Sequence, residues 1–216
     1  MSFHRQKASE EENNKVLNIL QNILIESIRN IDSDYILSYD IKLKKVKAQL
    51  ERVFAYELYH QWSCLLQNSD YNLDFKINGE PFKMLDRSHK YYEPDLVLHG
   101  GQFCEDNNFI VCEIKRAEGL SIENIITDFS KFTFFLNSKS FKYPYLRAVF
   151  IVVNSNKDKF AQIVSNSKIN KWNKKQRAQD KGSILQKIDI IKDRILCITK
   201  STDKTEVFGL SEIFNK

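Results

Sequence analysis

Apolar residues near the start of the chain recur every three or four positions. Val16, Leu17, Leu20, Ile23, Leu24, Ile28 and Ile31 fall at this spacing, and Ser9 followed by acids supplies a start signal, so residues 9–31 are predicted to form a helix. A second helical pattern, with Val46, Leu50, Val53, Phe54, Leu58 and Leu65 as its stripe, predicts a longer helix over 41–67. The period then shortens to two. Leu73, Phe75 and Ile77 alternate with polar residues, and Asn78-Gly79 reads as a hairpin turn. Two short apolar runs follow, at 94–99 and 109–115, joined by the polar stretch 102–108. Ser121 caps a predicted helix over 121–137, with Phe129, Phe132 and Phe135 among its apolar positions. The run 147–153 is the strongest buried-strand pattern in the chain. Beyond it the pattern predicts a helix near 158–166, a basic stretch, and short strands around 195–199 and 205–210.

The order helix, three strands, helix, strand defines a mixed α/β layout. Short connections make the three middle strands an antiparallel meander, and the helix that follows is long enough to bring 147–153 in parallel. The helix over 9–31 is an N-terminal extension (1–40), residues 41–155 carry the core, and 156–216 form a C-terminal extension of the same domain. The apolar stripe of the first helix must be covered, either by its own domain or by a second copy in a homodimer.

Composition narrows the class. The chain has 216 residues, 42% hydrophobic and 12% aromatic, enough for a real core in one domain. Its net charge of +5 permits a nucleic-acid partner without demanding one. Cys64, Cys104, Cys112 and Cys197 form no CxxC pair and are irregularly spaced, so neither a zinc knuckle nor a disulfide framework is indicated. The first residues hold no apolar signal-peptide core and no run approaches 18 apolar residues, so a soluble cytoplasmic protein with no membrane partner is expected. The hallmarks of serine hydrolases, dinucleotide-binding folds, P-loop ATPases and zincins are absent from the sequence.

The candidate chemistry sits on two neighbouring strands. Glu113 and Lys115 are two residues apart in FIVCEIK, so a strand turns both to one face. Asp95, directly after Pro94, begins the adjacent strand and comes within reach of Glu113 across the ladder. Two carboxylates beside an ammonium suit a hard divalent cation and a phosphate. Glu57 and Gln61 add polar groups to the face of the second helix expected to meet the sheet, where a carboxylate is costly without compensation. Lys171, Trp172, Lys174, Lys175 and Arg177 place an aromatic inside a basic run, a pattern suited to phosphate contact with base stacking and equally to a solvated face.

Pro94-Asp95, followed eighteen positions after the aspartate by Glu113-Ile114-Lys115, resembles the signature of the PD-(D/E)XK nuclease superfamily, over roughly 42–153. That resemblance implies a restriction-endonuclease-like core and hydrolysis of phosphodiester bonds, with DNA the expected substrate of an endonuclease. It implies magnesium, with manganese able to substitute, held by Asp95, Glu113, the carbonyl of Ile114 and support from Glu57. Lys115 would position water or stabilise charge, and Lys131, on the helix after the signature, would contact phosphate. The alternative is a non-catalytic nucleic-acid-binding or assembly protein that keeps the fold. A third class is an interaction module built on the first helix.

Overall fold

The computed structural model describes residues 8–40, 44–48, 50–69, 75–79, 93–100, 107–137, 143–165 and 184–214. The first helix, α1 (Glu10–Arg29), starts where the sequence predicts it. Ser9 and Glu12 form a reciprocal capping box, the Glu12 amide donating to Ser9 Oγ at 3.2 Å and the Ser9 amide to Glu12 Oε2 at 2.7 Å. Its stripe is covered from within the chain: Leu17, Leu20, Leu24 and Ile28 join one apolar cluster with Phe54, Leu58 and Trp62 of the next helix. Packing within the same chain thus accounts for the buried part of the stripe.

The described residues at the start of the predicted second helix, 44–48, are not helical. β1 (Leu37–Asp40) and β2 (Lys45–Ala48) pair as a separate antiparallel hairpin, Leu37 opposite Ala48 and Asp40 opposite Lys45. Lys44, at φ 49, takes the left-handed conformation directly before β2. Val46 and Leu50 are four apart and imitate a helical repeat, but the period around Val46 and Ala48 is two, and the strand ladder satisfies the backbone. α2 (Glu51–Gln67) begins only after Leu50.

β3 (Phe75–Gly79), β4 (Leu96–Gly100), β5 (Asn108–Arg116), β6 (Arg147–Val153), β7 (Ile195–Lys200) and β8 (Thr205–Gly209) form one six-stranded sheet in chain order. β3–β4–β5 is the expected antiparallel meander, β5–β6 and β6–β7 are parallel, and β8 returns antiparallel. Asn78 and Gly79 make no turn. They belong to β3, opposite Val97 and Leu96, and the Asn78 side chain is bonded to His99 Nε2 at 2.8 Å, so the ladder runs through them.

α3 (Ile122–Phe135) links β5 to β6; α4 (Lys157–Ile163) and α5 (Ile184–Ile191) lie between β6 and β7, and α6 (Ser211–Phe214) follows β8. The pattern reading named no helix at 184–191. Sheet residues alternate between two apolar layers: Val111, Ala148, Phe150 and Val152 pack toward α3 and α5, while Cys112, Ile114, Val149 and Ile151 pack toward α1 and α2. The protein is thus α/β, a mixed sheet between two helical layers. No described helix is long and apolar enough to cross a membrane.

Candidate active site at the end of β5

The parity of β5 decides what its polar residues can meet. Glu113 and Lys115 share the side of Val111, so they point into the α3 layer and away from α2. Opposite them, α3 presents a buried face of Ile125, Phe129 and Phe132, and Asp128 stands within that face at 4% exposure. Lys131 follows one turn later. Its ammonium lies 2.7 Å from Asp128 Oδ1 and 3.2 Å from Glu113 Oε1. Lys115 Nζ donates to the Ile114 carbonyl at 3.1 Å and lies 3.5 Å from Glu113 Oε2 and 3.6 Å from Asp128 Oδ2. Asp128 Oδ2 is buried and has no hydrogen-bond partner.

Asp95 sits in the bend before β4, not within the strand. Its Oδ2 accepts from the Ile114 amide at 2.6 Å, which carries the β4–β5 ladder one step past the last backbone pair, Leu96–Cys112. That bond fixes Asp95 beside the end of β5. The sequence-predicted trio of Asp95, Glu113 and Lys115 is thus assembled, with Asp128 and Lys131 as further members.

Acids outnumber lysines in the cluster, and the electrostatics follow from that imbalance. Glu113 is 1% exposed at its side chain. Burial, reinforced by the charges of Asp95 and Asp128, pushes its carboxyl from 4.5 up to about 7, although Lys131 and Lys115 pull the other way. Burial also raises Asp95, against the Ile114 hydrogen bond and the Lys115 charge, with Glu51 adding to the rise. Desolvation is the largest single influence on both lysines and favours their neutral forms. It is outweighed by Asp128, Glu113 and Asp95 together at Lys115, and by Glu113 and Asp128 at Lys131, so both are held above the ordinary lysine value. Acids and lysines alike are shifted upward, by burial first at the acids and by the surrounding carboxylates at the lysines.

Glu57 stands elsewhere. Its Oε1 accepts from Gln61 Nε2 at 2.6 Å, and its Oε2 lies 3.6 Å from His60 Nδ1. α2 covers the sheet face opposite the one to which Glu113 and Lys115 point, so a side chain midway along it is not directed at them. The helix reaches the cluster at its first residue, where Glu51 Oε1 accepts from the Arg116 amide at 3.2 Å and its charge acts on Asp95 and Lys115. The sequence held the signal for Glu51. The buried face of α2 is Phe54, Leu58, Trp62 and Leu66, and Glu51 lies on that face one turn before Phe54. Counting Val46 and Leu50 into the stripe rotates the reading and selects Glu57 instead.

A cleft of about 850 Å³ opens between α2 and the β3–β4 edge and meets the cluster at Asp95 and Ile114. Glu51, Arg52, Tyr56 and Tyr59 line its helical side, Asn78 and Leu96 its sheet side. The candidate nucleic-acid residues Lys171, Trp172, Lys174, Lys175 and Arg177 lie outside the described residues. Among the described residues, no three His, Cys, Asp or Glu side chains are gathered as a ready metal shell. The chemistry of the donors still fits a hard cation, since burial raises both Asp95 and Glu113, the charge of Asp95 adds to the rise at Glu113, and Asp128 keeps an unbonded oxygen. No family model, no curated protein and no solved structure matches the chain.

Proposed function

We propose that the chain is a magnesium-dependent nuclease that hydrolyses phosphodiester bonds, a DNA endonuclease in its expected form. The observation that carries this reading is the meeting of Asp95, Glu113 and Lys115 at the end of β5, two carboxylates raised by burial, with the charge of Asp95 adding to the rise at Glu113, beside an ammonium. A cation is the species such a pair lacks, and phosphate is the substrate an adjoining ammonium suits. The order α2, β3–β4–β5, α3, β6 agrees with the restriction-endonuclease-like core that the Pro94-Asp95 and Glu113-Ile114-Lys115 pattern resembles.

Each residue then has a task. Asp95, Glu113 and the Ile114 carbonyl would hold magnesium, which supplies Lewis-acid neutralisation of the phosphate. Lys115, on the Ile114 carbonyl and beside Glu113, stabilises charge on the phosphate. Asp128 keeps both lysines protonated and within the site. Lys131 offers a second ammonium for a phosphate oxygen, and Glu51 orients the end of β5 through the Arg116 amide.

A second reading, a nucleic-acid-binding protein without catalysis, is favoured by one observation: both ammoniums already face buried carboxylates. One assay separates the two. Circular single-stranded and duplex DNA are incubated with wild type, Glu113→Ala and Lys115→Ala, in magnesium or EDTA. Metal-dependent cleavage by wild type alone, with all three proteins folded by circular dichroism, is expected. Cleavage shared by all three, or binding without cleavage in magnesium, would overturn the nuclease reading.

A further inference from the structure

The cleft between α2 and the β3–β4 edge has a chemistry different from that of the acid–lysine cluster it adjoins. Arg52, Tyr56 and Tyr59 follow one another at i, i+4 and i+7, so they form a ridge along one face of α2. The rings are in water to an unusual degree for large apolar groups, Tyr56 at 66% and Tyr59 at 43% exposure. The opposite side is Ile77, Asn78 and Leu96, and the end nearest the cluster is acidic, with Glu51 and Asp95. A phosphate entering this space would be repelled by those two carboxylates. A flat, uncharged aromatic group would not, and its N–H donors would find acceptors there.

We propose that this cleft takes the unpaired bases of a single nucleic-acid strand, stacked on Tyr56 and Tyr59, while the strand's backbone passes the end of β5. The volume, about 850 Å³, falls in the range of sites that bury small ligands and has room for a base with its sugar. Bases inside a duplex already stack on one another and present no free face, so the ridge selects single-stranded or locally opened substrate. Arg52, at the start of the ridge, adds a cation for the backbone or for stacking on a base. The placement of the backbone rests on the nuclease reading; the stacking does not.

The test is fluorescence anisotropy with a labelled oligothymidine and a hairpin duplex, in EDTA so that nothing is cut. Wild type is expected to prefer the single strand. The Tyr56→Ala, Tyr59→Ala double variant loses that affinity by about tenfold or more, while duplex affinity changes little. The Tyr56→Phe, Tyr59→Phe variant keeps the rings and keeps the affinity, which separates stacking from helix damage. Equal affinity of wild type for both probes, no binding of either, or an alanine variant that binds like wild type would overturn the proposal. A parallel magnesium incubation reads the other hypothesis. Wild type that cuts nothing yet shows the ring-dependent preference removes the nuclease and leaves the platform; cleavage without that preference does the reverse.

Discussion

Replacing Glu113 by Gln removes one negative charge from the desolvated cluster at the end of β5 and leaves an oxygen to accept from Lys131. The folded carboxyl titrates at about 7 against an ordinary 4.5, because burial and the neighbouring Asp95 disfavour its charged form. At about 1.4 kcal/mol per pKa unit, ionising Glu113 in place destabilises the fold by up to about 3 kcal/mol. A folded-state value above the unfolded one means that the native protein binds the extra proton. Stability from this group is therefore intact below the unfolded value, falls as pH rises through the window between 4.5 and about 7, and is gone above it. Urea unfolding of wild type and Glu113→Gln at about pH 4 and about pH 8 measures this directly, with a difference near zero at the first and the variant more stable by up to about 3 kcal/mol at the second. In thermal unfolding the same gain is roughly 6–12 °C for a chain of this size. Excess magnesium at the higher pH should then raise the stability of wild type and leave the variant unmoved, since the cation replaces the proton. A variant less stable than wild type at about pH 8, or a difference that ignores pH, refutes the electrostatic account.

Glu51→Gln is expected to reduce magnesium-dependent cleavage on the order of tenfold, as losses of supporting residues around metal sites do, while Glu57→Gln stays near wild type. Equal losses in the two variants would return Glu57 to the site. Leu24→Ala empties a fully buried position in the α1–α2 layer and should cost about 3 kcal/mol in denaturant unfolding. Light scattering should show no change of oligomeric state, and a shift would reveal that a second copy shares the cover of α1.

Where one residue type settles the local choice, the sequence is easily read. Ser9 with Glu12 and Ser121 with Asn124 form reciprocal caps at the helix starts where the patterning puts them. β5 and β6 are buried on both faces, so their apolar runs leave no competing period. Two-residue parity suffices to join Glu113 to Lys115. What parity cannot give is the angle at which a helix is set over a sheet. Glu51 and Glu57 are both near apolar neighbours, and only the packing of Phe54, Leu58 and Trp62 against α1 decides which one reaches β5. Lys131 is legible as a residue of the helix after β5, but its convergence with Asp128 on Glu113 depends on α3 crossing that strand. The hairpin at 37–48 escaped because a four-residue apolar spacing satisfies both periods. α5 had a legible stripe, with Ile184, Ile188 and Ile191 at helical spacing, next to a basic run that drew the reading elsewhere.

The sheet's strands stand side by side in the order in which they are made, from β3 to β8. During synthesis each new strand meets an edge that the previous one has just provided, so the sheet can grow vectorially without inserting a late strand between early ones. One tie runs against this direction. Lys200, at the end of β7, donates to the Arg29 carbonyl at the C-terminus of α1, across 171 positions of sequence. α1 thus receives this contact only after β7 has been made, and until then the carbonyl at its C-terminus is left to water or to a chaperone.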